Sequence, residues 1–261
     1  MEMNNGGKEI LLSVISPVLN EEFFLPLYLE AVAAYADEIL LLDGGSQDNS
    51  LEIIENFQRK KEPVLRYWRL PQTGLPYSTE WNEGFRRNFL LSKARGRWVL
   101  ALDVDEFLSD NFSKVFREMI IKDEQSLLIG FSLLCFWGDI FTVRLNVRKD
   151  PHWEGVIYRL FRREAAAYDT RGNHCLLLIN NQYPAYIEDK RELREIILYH
   201  YHYALGSRIK SNDNRRQDLN CLDGQQKPNF SYRPDNYLIK TSRYRGDHPT
   251  TIKKYLKGRL L

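Results

Sequence analysis

The residues Trp98 to Glu106, WVLALDVDE, run through uncharged, mostly apolar positions and then set three carboxylates, Asp103, Asp105 and Glu106, within four positions. Carboxylates this close repel one another unless a cation neutralises them, and hard oxygen donors suit Mg²⁺ or Mn²⁺. Such ions are held through one or two carboxylates while phosphate oxygens complete the shell, so the implied ligand is a nucleotide diphosphate. Two aspartates one residue apart more often cap the next helix or stay hydrated. Here their position argues otherwise, because further polar groups follow other apolar runs. Asn20 and Glu21 come shortly after ILLSVIS (10–16), and Asp43 to Ser46 close EILLLD (38–43).

These runs read as short buried strands of the parallel type. Leu25, Leu29, Val32 and Ala36 recur at near-helical spacing after the first, with Pro26 tolerable only in the first turn. After the second, GGSQD supplies turn chemistry with Ser46 and Asp48 as candidate caps, and Leu51, Ile54 and Phe57 mark a second helix. VLRYWRL (64–70) predicts a third strand, 79–95 a helix and WVLAL a fourth strand. Phe112, Val115, Phe116, Met119 and Ile120 then fall on one helical face. The alternation predicts a Rossmann-like doubly wound α/β sheet, and in such sheets ligands bind outside the carboxyl ends of the strands, where these carboxylates fall. Beyond residue 125, LLIGFSLLCFW and IFTVRLNV flank a Gly138-Asp139 turn and predict an antiparallel hairpin. VIYRLFRR (156–163) and CLLLIN (175–180) add strands, so the second half is a mixed sheet grafted on the first.

Among 261 residues no apolar run approaches the roughly 18 of a membrane span, and MEMNNGGKEI carries no secretory signal, so a cytoplasmic location is expected. Three scattered cysteines, Cys135, Cys175 and Cys221, fit reduced thiols better than a disulfide framework. The net charge of +2 conceals an asymmetry: residues 206–261 hold 13 Lys plus Arg against 5 Asp, a net of +8, leaving −6 for residues 1–205. The expected division is a catalytic domain over 1–205 and a basic, partly helical C-terminal extension over 206–261. Such a tail is either a solvated surface or a site for phosphates or acidic lipid, and no nucleic-acid motif accompanies it, so nucleic acid is not an expected partner. TTIKKYLKGRLL (250–261) gathers Ile252, Tyr255, Leu256 and Leu260 near one helical face, suited to docking on the body first and to peripheral membrane contact second.

Other residues carry weaker signals. In LYHYHY (198–203) His200 and His202 share one face of a strand. RLFRR offers Arg159, Arg162 and Arg163, either as a wetted strand edge or as forks for a diphosphate or an anionic acceptor. Trp137 and Trp153 are either core or a stacking wall for a sugar.

The segments SPVLNE (16–21), LLDGGSQDNS (41–50), GFRRNFLLSKARGRWVLALDVDE (84–106) and YRLFRR (158–163) together resemble family 2 glycosyltransferases, nucleotide-sugar enzymes of the glycosyltransferase A-type fold. The resemblance is good over residues 10–110, patchy to 205 and poor beyond. It implies transfer of a sugar, with inversion, from a UDP- or GDP-sugar to the hydroxyl of a saccharide, lipid-linked or protein acceptor, with Mn²⁺ or Mg²⁺. By the same resemblance Pro17, Asn20 and Glu21 border the nucleobase, Asp43 contacts base or ribose, and Arg87 lies near the nucleotide. Asp103 takes the ribose side of the D-x-D and shares the metal, Asp105 binds the metal directly, and Glu106 extends the motif. Several A-type families add a histidine ligand; His202 is the one expected, against a packed pair. The acceptor's proton requires a general base, for which Glu154, His174 and Glu188 compete against ordinary loop roles. Gly44 stands where the family commonly has a second aspartate, which leaves the donor base open. The alternative is a catalytically degenerate nucleotide-sugar binding or scaffold protein. Sugar nucleotidyltransferases would require a Gly-rich, basic loop after strand one, and SPVLNEE has neither Gly nor Lys.

Overall fold

The computed structural model describes residues 9–60, 63–73, 82–120, 122–145, 155–171, 176–204 and 241–259; Trp153, Glu154, His174, Cys175 and Cys221 lie outside them. Four strands, β1 (Leu12–Val18), β2 (Glu38–Asp43), β3 (Val64–Arg69) and β4 (Trp98–Ala101), pair in parallel in the order β3-β2-β1-β4. All six residues of β2 are buried, as a strand covered on both faces requires. Alternate side chains serve opposite cores. Leu12, Val14, Ile39, Leu41 and Leu100 pack with α1 (Leu25–Ala33), α2 (Ser50–Gln58) and α4 (Phe112–Ile120), while Ile15, Leu40, Leu42 and Val99 meet Leu90 and Leu91 of α3 (Glu83–Lys93).

The helices follow the apolar spacing with local differences. α4 buries Phe112, Phe116, Met119 and Ile120 as predicted. α1 ends before Ala36, which is buried beyond the helix. Ser46 does not cap α2: the capping position is Asn49, and the Ser46 hydroxyl instead accepts from the Asn20 amide at 2.9 Å. Asn82 opens α3 in a left-handed conformation, φ 30°, its side chain accepting from Phe85 N at 2.9 Å.

From β4 onward the sheet turns antiparallel. β8 (Val156–Arg162) lies between β4 and the first half of β6 (Leu128–Trp137), and Gly138, at φ 80°, turns β6 into β7 (Asp139–Arg144). On the other edge of β6 runs β11 (Lys190–Tyr203), parallel to it, followed by the short β5 (Glu106–Leu108). β9 (Ala166–Tyr168) and β10 (Leu177–Ile179) form a separate ribbon. From the basic C-terminal region, β12 (Thr241–Arg243) pairs with β7, and α5 (Thr250–Arg259) docks on α1 through buried Ile252 and a Tyr255–Phe23 edge contact. Among the described residues no helix is long and apolar enough to cross a membrane.

β11 divides its side chains sharply. Tyr201 stacks on Phe136 at 4.5 Å and hydrogen-bonds His248 Nδ1 at 2.7 Å, with Tyr244 completing the aromatic packing, while His200 and His202 point to the other face.

At the amino ends of the parallel strands Glu38 is fully buried and saturated. It accepts from Ser13 Oγ at 2.6 Å, Arg66 Nη2 at 2.9 Å, and the Arg95 amide, Nε and Nη2 at 2.7, 3.1 and 3.0 Å. A depression of about 790 Å³ opens beside this cluster. Of its arginines, Arg66 and Arg95 hold Glu38 and Arg162 holds the carbonyls of Asp123 and Ser126 and the Trp98 ring, while Arg66 Nε and Arg163 Nε are buried without a hydrogen-bond partner. Glu38, answered so fully from within, serves the architecture, and the carboxylate and histidine cluster lies at the opposite edge.

Candidate active site

The chemistry-bearing side chains meet where β1, β2 and β4 end and β11 passes. β4 delivers Asp103 and Asp105 beyond its last residue, and the register of β5 on β11 sets Glu106 opposite His200. Asp105 is 3% exposed; its Oδ2 lies 2.8 Å from His202 Nδ1 and its Oδ1 3.5 Å from His200 Nε2. The other ring nitrogen of His200 lies 3.9 Å from Cys135 Sγ, a free thiol.

Arginines, rather than a cation alone, balance the neighbouring carboxylates. Arg87, 2% exposed, reaches Asp103 Oδ1 at 2.5 Å and Glu83 Oε1 at 3.1 Å. Arg159 from β8 pairs with Glu106 and approaches Asp103 Oδ2 at 3.6 Å. Glu106 in turn accepts the Asp103 amide at 3.0 Å, which fixes the turn. Burial acts against ionisation throughout, and the partners decide the outcome. Burial would raise the Asp105 pKa, but hydrogen bonds from His200 and His202 hold it well below the usual carboxylate range. Asp103 is lowered in spite of burial by the charges of Arg87 and Arg159. For Glu106 burial prevails over Arg159 and the pKa is raised. His200 is pushed well above an ordinary imidazole, its burial outweighed by the bond to Asp105.

Asp105, His200 and His202 offer ligand atoms within 4.8 Å of one another, close to the ~4.2 Å span of an ion with ligands at about 2.1 Å. One carboxylate and two imidazoles fit a divalent ion, and the nitrogen donors favour Mn²⁺ over Mg²⁺. His200, which sequence reasoning placed on the right face but did not select, joins His202 there. Asp103 turns toward the arginines, outside this triad.

The other predicted positions divide. Asp43 is buried and accepts from the amides of Gly45 and Ser46 at 3.0 Å, with Arg69 at 3.3 Å, so it shapes the turn after β2. Asn20, at φ 55°, binds Gln47 N through its side chain at 2.8 Å, and the Glu21 amide donates to Ser50 Oγ at 2.8 Å, joining the first two loops. Pro17 lies in β1 opposite Leu42. Glu188 is exposed just before β11 starts, at the far end of that strand, roughly 30 Å from the histidines. Arg162 and Arg163 border the amino-end depression, leaving Arg159 as the arginine of RLFRR that faces the site. Trp137 is core, 1% exposed against Tyr203. Arg86 was missed by sequence reasoning: it is 4% exposed, hydrogen-bonds the Leu70 carbonyl through Nη1 at 2.9 Å, and leaves Nε and Nη2 without a partner.

A glycosyl transferase family 2 sequence profile matches residues 13–213. The chain belongs to that family. It is 33% identical over 106 residues to an uncharacterized glycosyltransferase of Haemophilus influenzae, covering 39% of this chain and 38% of that protein. Identity to the uncharacterized glycosyltransferase MG060 homolog of Mycoplasma pneumoniae is 29% over 118 residues, 44% of this chain and 36% of the other. The chain thus spans less than two-fifths of the length of these relatives. The mannosyltransferase PcManGT from Pyrobaculum calidifontis, solved in complex with GDP-Man and Mn²⁺, superposes with a TM-score of 0.52 over 86% of this chain and 68% of its own, at 13% identity. That likeness establishes the A-type glycosyltransferase fold for this member of family 2.

Proposed function

We propose that this family 2 chain transfers a sugar, with inversion, from a UDP- or GDP-sugar to an acceptor hydroxyl, with a divalent ion held by Asp105, His200 and His202. The reading rests on one observation: at the carboxyl edge of an A-type sheet, a buried carboxylate and two imidazoles converge beside a second carboxylate that remains 36% exposed. When bound, the ion supplies positive charge against the negative charge that grows on a departing diphosphate. The chain's own residues do the rest. Arg87 and Arg159 keep Asp103 ionised and oriented, so its accessible face can accept a hydrogen bond from a ribose hydroxyl. Arg159 also fixes Glu106, which fixes the turn carrying both aspartates. The proton-accepting role goes to Glu154. Its support is adjacency in sequence: Gly155 precedes β8, which enters the sheet from the edge that holds the cluster.

The test is Mn²⁺-dependent donor hydrolysis and transfer, measured with UDP- and GDP-sugars on the wild type, Asp105→Asn and Glu154→Gln. Asp105→Asn is expected to abolish turnover and metal-dependent nucleotide binding while the circular dichroism spectrum is retained. Glu154→Gln should retain binding and lose transfer. Full turnover by Asp105→Asn refutes the reading.

A further inference from the structure

We propose that the basic depression at the amino ends of the parallel strands is a second ligand site, and that it takes a soluble oligophosphate, an anion with several phosphate groups in a chain. The proposal goes beyond sugar transfer and does not depend on it. Arg162 pairs with Trp98 at the start of β4, roughly 15 Å along that strand from the carboxylate and histidine cluster. Six cationic side chains line the depression, Arg66, Lys93, Arg95, Arg97, Arg162 and Arg163, against the exposed Glu9 and Glu164 and the buried Glu38.

These carboxylates do not answer the charge. Glu38 carries one negative charge and divides it between Arg66 and Arg95. Glu164 is 88% exposed and 3.5 Å from Arg163, and a pair that open is worth little. Arg97 and Arg162 are held by neutral groups: Arg97 Nη2 reaches the Asp123 carbonyl at 3.5 Å, and Arg162 takes the carbonyls of Asp123 and Ser126 at 2.6 and 3.1 Å. The two crowd each other, since the charge of Arg97 adds to burial in drawing the Arg162 pKa down, against the pull of Asp123 and Glu124. Arg66 Nε and Arg163 Nε are left with no hydrogen-bond partner. The C-terminal end of α3 supplies about half a negative charge, but Arg66 Nη2 already meets the Lys93 carbonyl there at 2.7 Å. Like charges gathered in this way repel and weaken the fold unless an anion shares them.

Guanidinium forks match phosphate oxygens two at a time, so arginines on several sides of one depression suit an anion with several phosphate groups better than a single carboxylate. About 790 Å³ leaves room for such a chain. A lipid headgroup is the other source of phosphate, but a membrane surface also asks for apolar side chains that enter it. Among the described residues, none of the large exposed hydrophobic side chains lines the depression.

Calorimetric titration of tripolyphosphate and orthophosphate, with EDTA present to exclude metal, tests this on the wild type, on Asp105→Asn, and on a double variant, Arg97→Gln with Arg163→Gln, which leaves both arginines of Glu38 in place. Tripolyphosphate should bind the wild type at least about tenfold tighter than orthophosphate, raise its melting temperature, and bind Asp105→Asn equally well. The double variant should bind it at least about tenfold more weakly, through the loss of charge-assisted hydrogen bonds, with its own melting temperature unchanged or raised because the crowding of Arg162 is relieved. Equal affinity in the double variant, lost binding in Asp105→Asn, or a wild type that does not prefer tripolyphosphate overturns the proposal. Flotation with phosphatidylglycerol vesicles, but not phosphatidylcholine vesicles, by a wild type that ignores tripolyphosphate also overturns it, the occupant then being a lipid headgroup.

Discussion

Glu38 and Asp105 are both buried carboxylates beside arginine-rich surroundings, at opposite ends of the same parallel strands. Glu38 receives five hydrogen bonds from Ser13, Arg66 and Arg95, and its partners belong to the strands and helix it holds together. Asp105 is met by two imidazoles, one of them 30% exposed, next to an aspartate 36% exposed. Glu38 itself is answered wholly from within the protein. The second is balanced in part by groups that can also bind a metal, on a rim that solvent reaches. Burial of charge therefore does not by itself distinguish scaffold from site. The decisive property is whether the protein alone supplies every partner.

Breaking each cluster should separate these roles. The largest effect is expected from Asp105→Asn: a fall in Mn²⁺-dependent turnover of about 10³-fold or more, roughly 4 kcal/mol, with little change in the urea midpoint. Glu38→Gln should do the reverse. It removes a charge shared by two half-buried arginines and is expected to cost about 3 kcal/mol in denaturant titration, while activity per folded molecule persists. If Glu38→Gln instead lost activity without losing stability, the two regions would not be the distinct things argued above. His200→Ala and His202→Ala each should weaken Mn²⁺ by about tenfold, roughly 1.4 kcal/mol, read by direct metal titration. Unchanged affinity in either removes that imidazole from the ligand set. Asn82→Ala, at the cap of the helix that carries Arg86 and Arg87, is expected to cost about 1 kcal/mol of stability and leave Mn²⁺ affinity as it was.

The parallel half of the fold was legible because its signals are local. Short apolar runs set β1, β2 and β4, the spacing of Phe112 to Ile120 set α4, and Gly138 set the hairpin. The carboxylates were legible because they follow directly on β4, and the shared face of His200 and His202 follows from strand alternation. What sequence could not show is who meets whom. Arg159 reaches Glu106 across 53 positions and His202 reaches Asp105 across 97, and no local pattern encodes such contacts. For the same reason repulsion among the carboxylates does not by itself demand a cation, since Arg87 and Arg159 balance much of the charge. Ser46 read as a helix cap because its residue type suits one, but a loop 26 positions earlier competes for its hydroxyl. Glu38 and Arg86 carried no signal, Glu38 as a charge at the start of an apolar strand and Arg86 as one of two adjacent arginines on a polar helix.

The aromatic seam behind β11 has a consequence for how the chain tolerates shortening. Because Tyr201, one position from each histidine, leans on Tyr244 and His248 through Phe136, residues beyond 240 buttress the back of the strand whose front carries the two histidines. Clipping the polypeptide ahead of residue 241 would leave every proposed ligand in place yet loosen their aim, so catalysis should fade before folding does.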